Sequence, residues 1–250
     1  MKSKSSLCFV IGLMLCTSFS FSQNDPVVWQ KQPYEVDGKV ANWPAITMDE
    51  KSGYTYGISV DSAYVYLSVK IGGLQLQNQI FLAGLTCWID KKRKKGIRFP
   101  IGVPEEQRPR DPNVFEDYLY DLQDGKYQRV KELFSLELLG FYGGKELTWG
   151  EAKNEGGINA AASFDSEGIL IYELAIPRTS FDKPEKGIHL SLESGVLGRP
   201  RLHAWDAVGI SGGSVSNPGR IETEKVRNYQ YKLERYRQYT VAKRVKIKKI

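Results

Sequence analysis

The chain has 250 residues, with three cysteines, two histidines and a formal net charge of +6. So few cysteines and histidines exclude a disulfide framework and a zinc site of the usual composition. The charge is uneven, because residues 220–250 carry +8 whereas residues 23–219 carry −4. We therefore predict a slightly acidic body, long enough for one large domain, followed by a basic C-terminal segment.

The N-terminus is predicted to be a secretory signal peptide, residues 1–22. Two lysines precede an unbroken apolar run over residues 7–15, and small residues then offer a cleavage site. That run is shorter than the ~20 residues of a membrane-spanning helix. A lipid anchor at Cys16 is disfavoured, because Leu15 stands where a lipobox has a small residue. We expect an exported protein, periplasmic, outer-membrane-associated or extracellular and not transmembrane, in which residues 23–250 form one domain.

Alternation of apolar and polar residues predicts strands along most of this domain. Turn residues separate the strands, and many short strands of this kind are typical of a sandwich or barrel. We predict an all-β fold, a two-sheet antiparallel β-sandwich of the immunoglobulin or jelly-roll kind. The predicted strands are, in chain order, Tyr54–Val60, 63–71, 85–90, 97–103, 158–164, 168–176, 188–196 and 239–247.

One interruption, around residues 112–134, is predicted to be a helical insertion. Asp111 supplies an N-cap and Pro112 suits the first turn of a helix. Apolar residues then recur at helical spacing.

A run of five cations, residues 91–95, lies between two predicted strands. We interpret it as the solvated loop of a β-hairpin closed by Gly96, where clustered lysines oppose edge-to-edge aggregation. An anion-binding site is the alternative. Because export excludes a nuclear localisation signal, no nucleic-acid partner is expected. The basic segment 220–250 either solvates a terminal strand or helix or contacts an anionic envelope surface.

Cys87 is the one cysteine that remains after removal of the signal peptide. It shares a strand face with Leu85 and Ile89, so we expect a buried, inert thiol. An intramolecular disulfide is then impossible, and stability must come from an apolar core.

The motifs do not indicate catalysis. Residues 209–213 match the G-x-S-x-G pattern, but both histidines precede Ser211, against the chain order of that hydrolase motif. Asp61, Glu173 and Asp182 are possible calcium ligands, although their spacing matches no EF-hand loop. We therefore predict no enzyme activity, no metal and no cofactor.

The aromatic residues say more about function than the catalytic and metal-binding motifs do. Tyr64, Tyr66 and Trp88 lie on strand faces opposite the aliphatic residues, and Trp205 precedes a Gly/Ser-rich stretch. They form either a second buried layer or a surface on which sugar rings stack. The candidate ligand-binding residues are Trp205, Tyr64 and Tyr66, with a carbohydrate as the expected partner.

Four short motifs follow one another along the chain. They are Val36-Asp37-Gly38 with Trp43, residues 61–69 (DSAYVYLSV), residues 88–90 (WID) and residues 172–177 (YELAIP). In this order they resemble family 9 carbohydrate-binding modules and the wider group of DOMON-like sandwiches. The resemblance implies a β-sandwich without catalysis that often binds sugar.

Sugar-binding members of that family hold the ligand between two tryptophans. By resemblance, Trp205 matches one of them, residues 77–80 occupy the place of the other without an aromatic, and Trp88 matches a framework position. Two alternatives remain open. One is a cell-envelope structural or protein-interaction module, and the other is a haem-binding electron carrier, for which Met48 is the available methionine ligand.

Overall fold

The computed structural model describes ten parts of the chain, and all structural statements below concern them. The predicted signal peptide, Trp205 and the 209–213 motif lie outside the described residues. The described residues are 27–31, 33–39, 43, 46–99, 108–131, 135–141, 147–151, 157–184, 187–200 and 220–247.

These residues form twelve strands and three α-helices. The strands are β1 (Val27–Trp29), β2 (Thr47–Asp49), β3 (Tyr54–Val60), β4 (Tyr64–Ile71), β5 (Leu85–Trp88), β6 (Gly96–Phe99), β7 (Ser135–Leu139), β8 (Leu147–Glu151), β9 (Asn159–Phe164), β10 (Leu170–Pro177), β11 (Leu190–Ser194) and β12 (Arg244–Ile247). The helices are α1 (Leu74–Ala83), α2 (Pro112–Lys131) and α3 (Arg220–Gln238).

The strands belong to two six-stranded sheets. Sheet A has the order β1-β3-β4-β10-β9, with β2 also paired to β3, and sheet B has the order β12-β11-β5-β6-β7-β8. The predicted β-rich, two-sheet architecture is thus confirmed. The prediction that all strands pair in an antiparallel manner was wrong, because β1 runs parallel to β3, with Val27 opposite Ile58.

Sheet A is buried on both faces. In β4, Leu67 is fully buried on one face and Tyr66, which points the other way, is only 1% exposed. On the face that Leu67 shares, Tyr172 of β10 packs edge-to-face against Phe99 of β6, so apolar side chains of the two sheets contact each other. The opposite face of sheet A needs a separate cover.

The sequence prediction missed helix α1. It is short, combines amide side chains with apolar ones and is buried around most of its circumference, so it has no clear apolar stripe. Its glutamines are tolerated in the interior because their amides donate to loop carbonyls. Gln77 donates to the carbonyls of Ile71 and Gly168, at 2.8 and 2.9 Å.

The predicted helical insertion is confirmed as α2, which spans Pro112–Lys131, and residues 132–134 lie outside the described residues. The Asp111 carboxylate caps the helix by accepting from the amide of Asn113 at 2.8 Å. Helix α3 packs against α2, and Arg235 pairs with Glu116 across the two helices at 3.1 Å.

The C-terminal prediction needs correction as well. Residues 239–247 were predicted to form one strand, but α3 continues to Gln238 and β12 begins only at Arg244. The reason is that Tyr236 and Tyr239 are buried at helical spacing, and both rings pack edge-to-face against Phe115 of α2. Much of the basic segment is therefore a helix.

Cys87 is buried, as predicted, with no exposed surface. Burial raises the pKa of its thiol to about 12, so the thiolate is scarce at neutral pH. We expect native protein to react with a thiol reagent at least about tenfold more slowly than protein unfolded in urea, in which Cys87 has an ordinary pKa. Equal rates measured by mass spectrometry would contradict this burial.

Candidate functional site

Three of the four motifs that carry the family resemblance meet on the outer face of sheet A, whereas the fourth, residues 88–90, begins on β5 of sheet B. Residues 33–39 together with Trp43, here called the strap, cover this face. Trp43 is 8% exposed and packs against Tyr66 and Ala175, and its ring centroid lies 4.5 Å from that of Tyr34. The strap is therefore the cover that the buried outer face of sheet A requires.

A buried carboxylate holds the strap in place. Glu173 of β10 has no exposed surface and accepts a hydrogen bond from the indole of Trp43 at 2.8 Å. It also accepts from the amides of Gly38 and Asp37, at 2.7 and 3.0 Å, and from the Tyr34 hydroxyl at 3.3 Å. Burial raises the pKa of Glu173 above its usual value, against the effect of these donors. These contacts indicate that the role of Glu173 is structural, because the carboxylate attaches the strap to β10.

A second carboxylate fixes the start of β4. Asp61 accepts from the Tyr66 hydroxyl at 2.6 Å and from the amides of Ala63 and Tyr64, at 2.7 and 2.6 Å. Burial acts to raise the pKa of Asp61, but these hydrogen bonds together bring it below its usual value. The third candidate calcium ligand, Asp182, lies elsewhere and pairs with Lys95 at 2.8 Å.

Two of the three predicted site residues lie side by side. The ring centroids of Tyr64 and Tyr66 are 6.0 Å apart, but Tyr66 is covered by the strap and Tyr64 is partly exposed. Tyr64 lines a groove of about 240 Å³ with Tyr34 and Asn159. The ring of Tyr66 therefore has almost no surface to offer a ligand, whereas Tyr64 retains some.

A larger groove, of about 630 Å³, lies on the outer face of sheet B. We call it the Trp88 groove. Residues 240–242, just before β12, form part of its rim, where Val241 is 61% exposed. The polar and aromatic residues that line it are Thr86, Trp88, Arg98, Arg108, Glu193, Ser194, Thr240 and Arg244.

The indole of Trp88 is held in a fixed position in this groove. Its Nε1 donates to Glu193 at 3.0 Å. Its ring rests on Gly96 of the neighbouring strand, where an added Cβ would lie 2.8 Å from the ring atom Cε3. Because Gly96 has no side chain, the ring lies close to the sheet while part of it stays accessible. Trp88 is therefore a partly exposed aromatic surface rather than a fully buried framework residue.

Glu193 organises the charges at the groove. Arg244 of β12 engages it through Nε and Nη2, at 2.8 and 2.6 Å, and Arg93 contacts it at 3.1 Å. On the other side of the groove, Arg98 contacts Glu137 at 3.2 Å and donates to the carbonyl of Ala83 at 3.0 Å. Four of these charged side chains come from strands, which makes the arrangement rigid.

The hairpin predicted around the cationic run is confirmed, since β5 and β6 pair with Trp88 opposite Gly96. The loop is less freely solvated than expected. Arg93 reaches Glu193, and Lys95 pairs with Asp182. Two of the five cations thus attach the hairpin loop to neighbouring parts of the chain.

Sequence reasoning missed the Trp88 groove because its residues are distant along the chain. Trp88 and Glu193 are 105 positions apart, and Arg244 lies a further 51 positions away. The one available signal was the alternation in residues 85–90, which placed Trp88 opposite Cys87.

Three further observations concern a haem ligand, a metal ion and the membrane. Met48 lies on the short strand β2 and is 63% exposed. In the parts of the chain that are described, no three His, Cys, Asp or Glu side chains are grouped closely enough to hold a metal ion. Within the same parts, no helix has both the length and the apolar character needed to cross a membrane.

Comparisons with protein-family models and with curated proteins find no match to this chain.

Proposed function

We propose that this protein is an exported, non-catalytic carbohydrate-binding module, that its two sheets form a β-sandwich, and that it binds sugar in the Trp88 groove. The observation that carries the proposal is the partly exposed indole of Trp88, supported from below by Gly96 and hydrogen-bonded to Glu193. A sugar ring has apolar faces and polar edges, so an aromatic surface next to hydrogen-bonding groups suits both. The volume of about 630 Å³ is within the usual range for a small-molecule site.

The supply of hydrogen-bonding groups supports the same conclusion. Thr86 carries a hydroxyl group, Glu193 provides an acceptor, and Arg98 and Arg244 provide donors in the lining of one groove. A saccharide presents several hydroxyl groups that both donate and accept. The groove on sheet A is smaller and has no charged side chain among the described residues of its lining, which is why we place the principal site on sheet B.

The test is a binding measurement on the chain without its predicted signal peptide. A glycan array identifies retained oligosaccharides, and calorimetry then measures their Kd for the wild type and for Trp88→Ala. We expect Kd to rise at least about tenfold, because the stacking surface is lost. Since Trp88 is only partly buried, we expect a stability loss of about 1–2 kcal/mol, below the usual cost of a fully buried tryptophan.

Trp29→Ala is the matched control, because Trp29 is 61% exposed but lies on β1 of the other sheet. It should leave Kd unchanged. Tyr64→Ala and Trp205→Ala test the residues predicted from the sequence. If either abolishes binding while Trp88→Ala does not, the site is elsewhere. If no oligosaccharide is retained, the protein-interaction alternative replaces this proposal.

A further inference from the structure

The charges around the Trp88 groove are unbalanced. Three arginines and one glutamate are among its lining residues: Arg98, Arg108, Arg244 and Glu193. The ion pairs at the groove join Arg93, Arg98 and Arg244 to Glu137 and Glu193. Even with Arg108 left out, these side chains carry an excess of one positive charge, although residues 23–219 as a whole are acidic.

Arg244 is the arginine best placed to meet a ligand. Its Nε and Nη2 donors are directed at Glu193, which leaves the Nη1 edge of the guanidinium without a partner among the described residues. The side chain is 52% exposed, whereas Glu193 is 17% exposed. Glu193 thus orients a guanidinium that keeps hydrogen-bond donors for an incoming anion.

From this arrangement we infer that the ligand of the Trp88 groove is an anionic saccharide, one that carries a carboxylate or sulfate group. The inference rests on the proposed function. The sugar ring stacks on Trp88, and its anionic group accepts from Arg244. Arginine suits this role because its planar guanidinium forms paired hydrogen bonds to carboxylate and sulfate oxygens. Glu193 acts as a positioning residue for both Trp88 and Arg244.

The experiment compares three sets of oligosaccharides of matched length: uronates such as oligogalacturonate and oligoalginate, sulfated galactans, and neutral xylo- and cello-oligosaccharides. We expect the wild type to bind an anionic set at least about tenfold more tightly than the neutral set, because charge-assisted hydrogen bonds are lost with the neutral ligands. Methyl esterification of a bound uronate should weaken binding by a similar factor. The comparison of uronates with sulfated galactans identifies which anionic group is recognised.

Arg244→Gln keeps a polar side chain with an amide donor, although a shorter one, and removes the charge. We expect it to reduce affinity for the anionic set about tenfold and to weaken the dependence of Kd on salt between about 50 and about 500 mM NaCl. Lys246→Gln is the matched control, since Lys246 lies on the same strand and on the same face but outside the groove lining. It should change Kd less than about twofold.

The outcomes separate this inference from the proposed function. Preferential binding of neutral oligosaccharides that depends on Trp88 but not on Arg244 overturns the inference and leaves the proposed function intact. Equal losses from Arg244→Gln and Lys246→Gln also overturn it, because they indicate attraction to general surface charge. Failure of the wild type to bind any of the three sets overturns the inference, and the proposed function is overturned with it only when the glycan array also retains no oligosaccharide.

Discussion

Glu173→Ala is expected to destabilise the protein by about 4 kcal/mol, because it leaves buried donors without an acceptor. Those donors are the Trp43 indole, the amides of Asp37 and Gly38, and the Tyr34 hydroxyl. The strap would then lose its attachment to β10 and expose the outer face of sheet A. Urea unfolding followed by circular dichroism measures the change in the free energy of unfolding.

Two further variants test whether the loss of stability in Glu173→Ala comes from the missing carboxylate. Glu173→Gln keeps one acceptor oxygen but directs an amide group at donors, so we expect an intermediate loss of about 2 kcal/mol. Glu167→Ala is the control, because Glu167 is exposed in the turn before β10 and should change stability by less than about 0.5 kcal/mol. A loss below about 1 kcal/mol for Glu173→Ala would show that the strap is held by its apolar contacts alone.

Gly195→Ala is expected to cost about 3 kcal/mol, because there is no room for a side chain at this position. The amide of Gly195 donates to the carbonyl of Gly84 at 2.8 Å. This close approach puts an added Cβ 1.9 Å from the carbonyl oxygen of Ala83 and 2.6 Å from its carbonyl carbon. Both are backbone atoms at the end of α1, so no side-chain rotation relieves the overlap.

Gly195 also lines the Trp88 groove, so the same variant should weaken saccharide binding. Gly198→Ala is the matched control three residues along the chain, where the nearest atom to an added Cβ is Nε of Arg110, at 3.7 Å. Its effect on thermal and urea stability should be within about 0.5 kcal/mol. If both glycine variants have wild-type stability, the contact between residue 195 and the end of α1 is looser than described.

The two carboxylates of sheet A explain why three of the four short motifs occur together. Asp37, Gly38 and Trp43 contribute donors, Glu173 accepts from them, and Asp61 holds the tyrosine on which Trp43 packs. The motifs therefore support attachment of the N-terminal segment to sheet A. Their presence accounts for the fold of this region, and the ligand site proposed here uses Trp88 of the fourth motif together with residues outside the motifs.

The aromatic residues of the two sheets have different roles, although the sequence presents them alike. Tyr66 and Trp88 both lie opposite aliphatic residues in alternating strands. Tyr66 is covered because the strap passes over sheet A, and Trp88 remains accessible because its ring rests on a glycine. Alternation identifies the face on which a side chain lies, but it does not reveal what covers that face.

The sequence by itself determined features that depend on neighbouring residues. Period-two alternation located β3 at its observed bounds and predicted the burial of Cys87, and the Asp111 cap predicted the start of α2. These succeed because strand faces and helix caps are set within a few residues.

Only the tertiary structure decided the position of α1, the role of Glu173 and the Trp88 groove. Helix α1 is stabilised by glutamine amides that reach distant loops, so its own pattern of residues does not predict it. The groove requires that β5, β6, β11 and β12 lie next to one another in sheet B. Contacts between residues about one hundred positions apart depend on strand order, and local periodicity carries no information about that order.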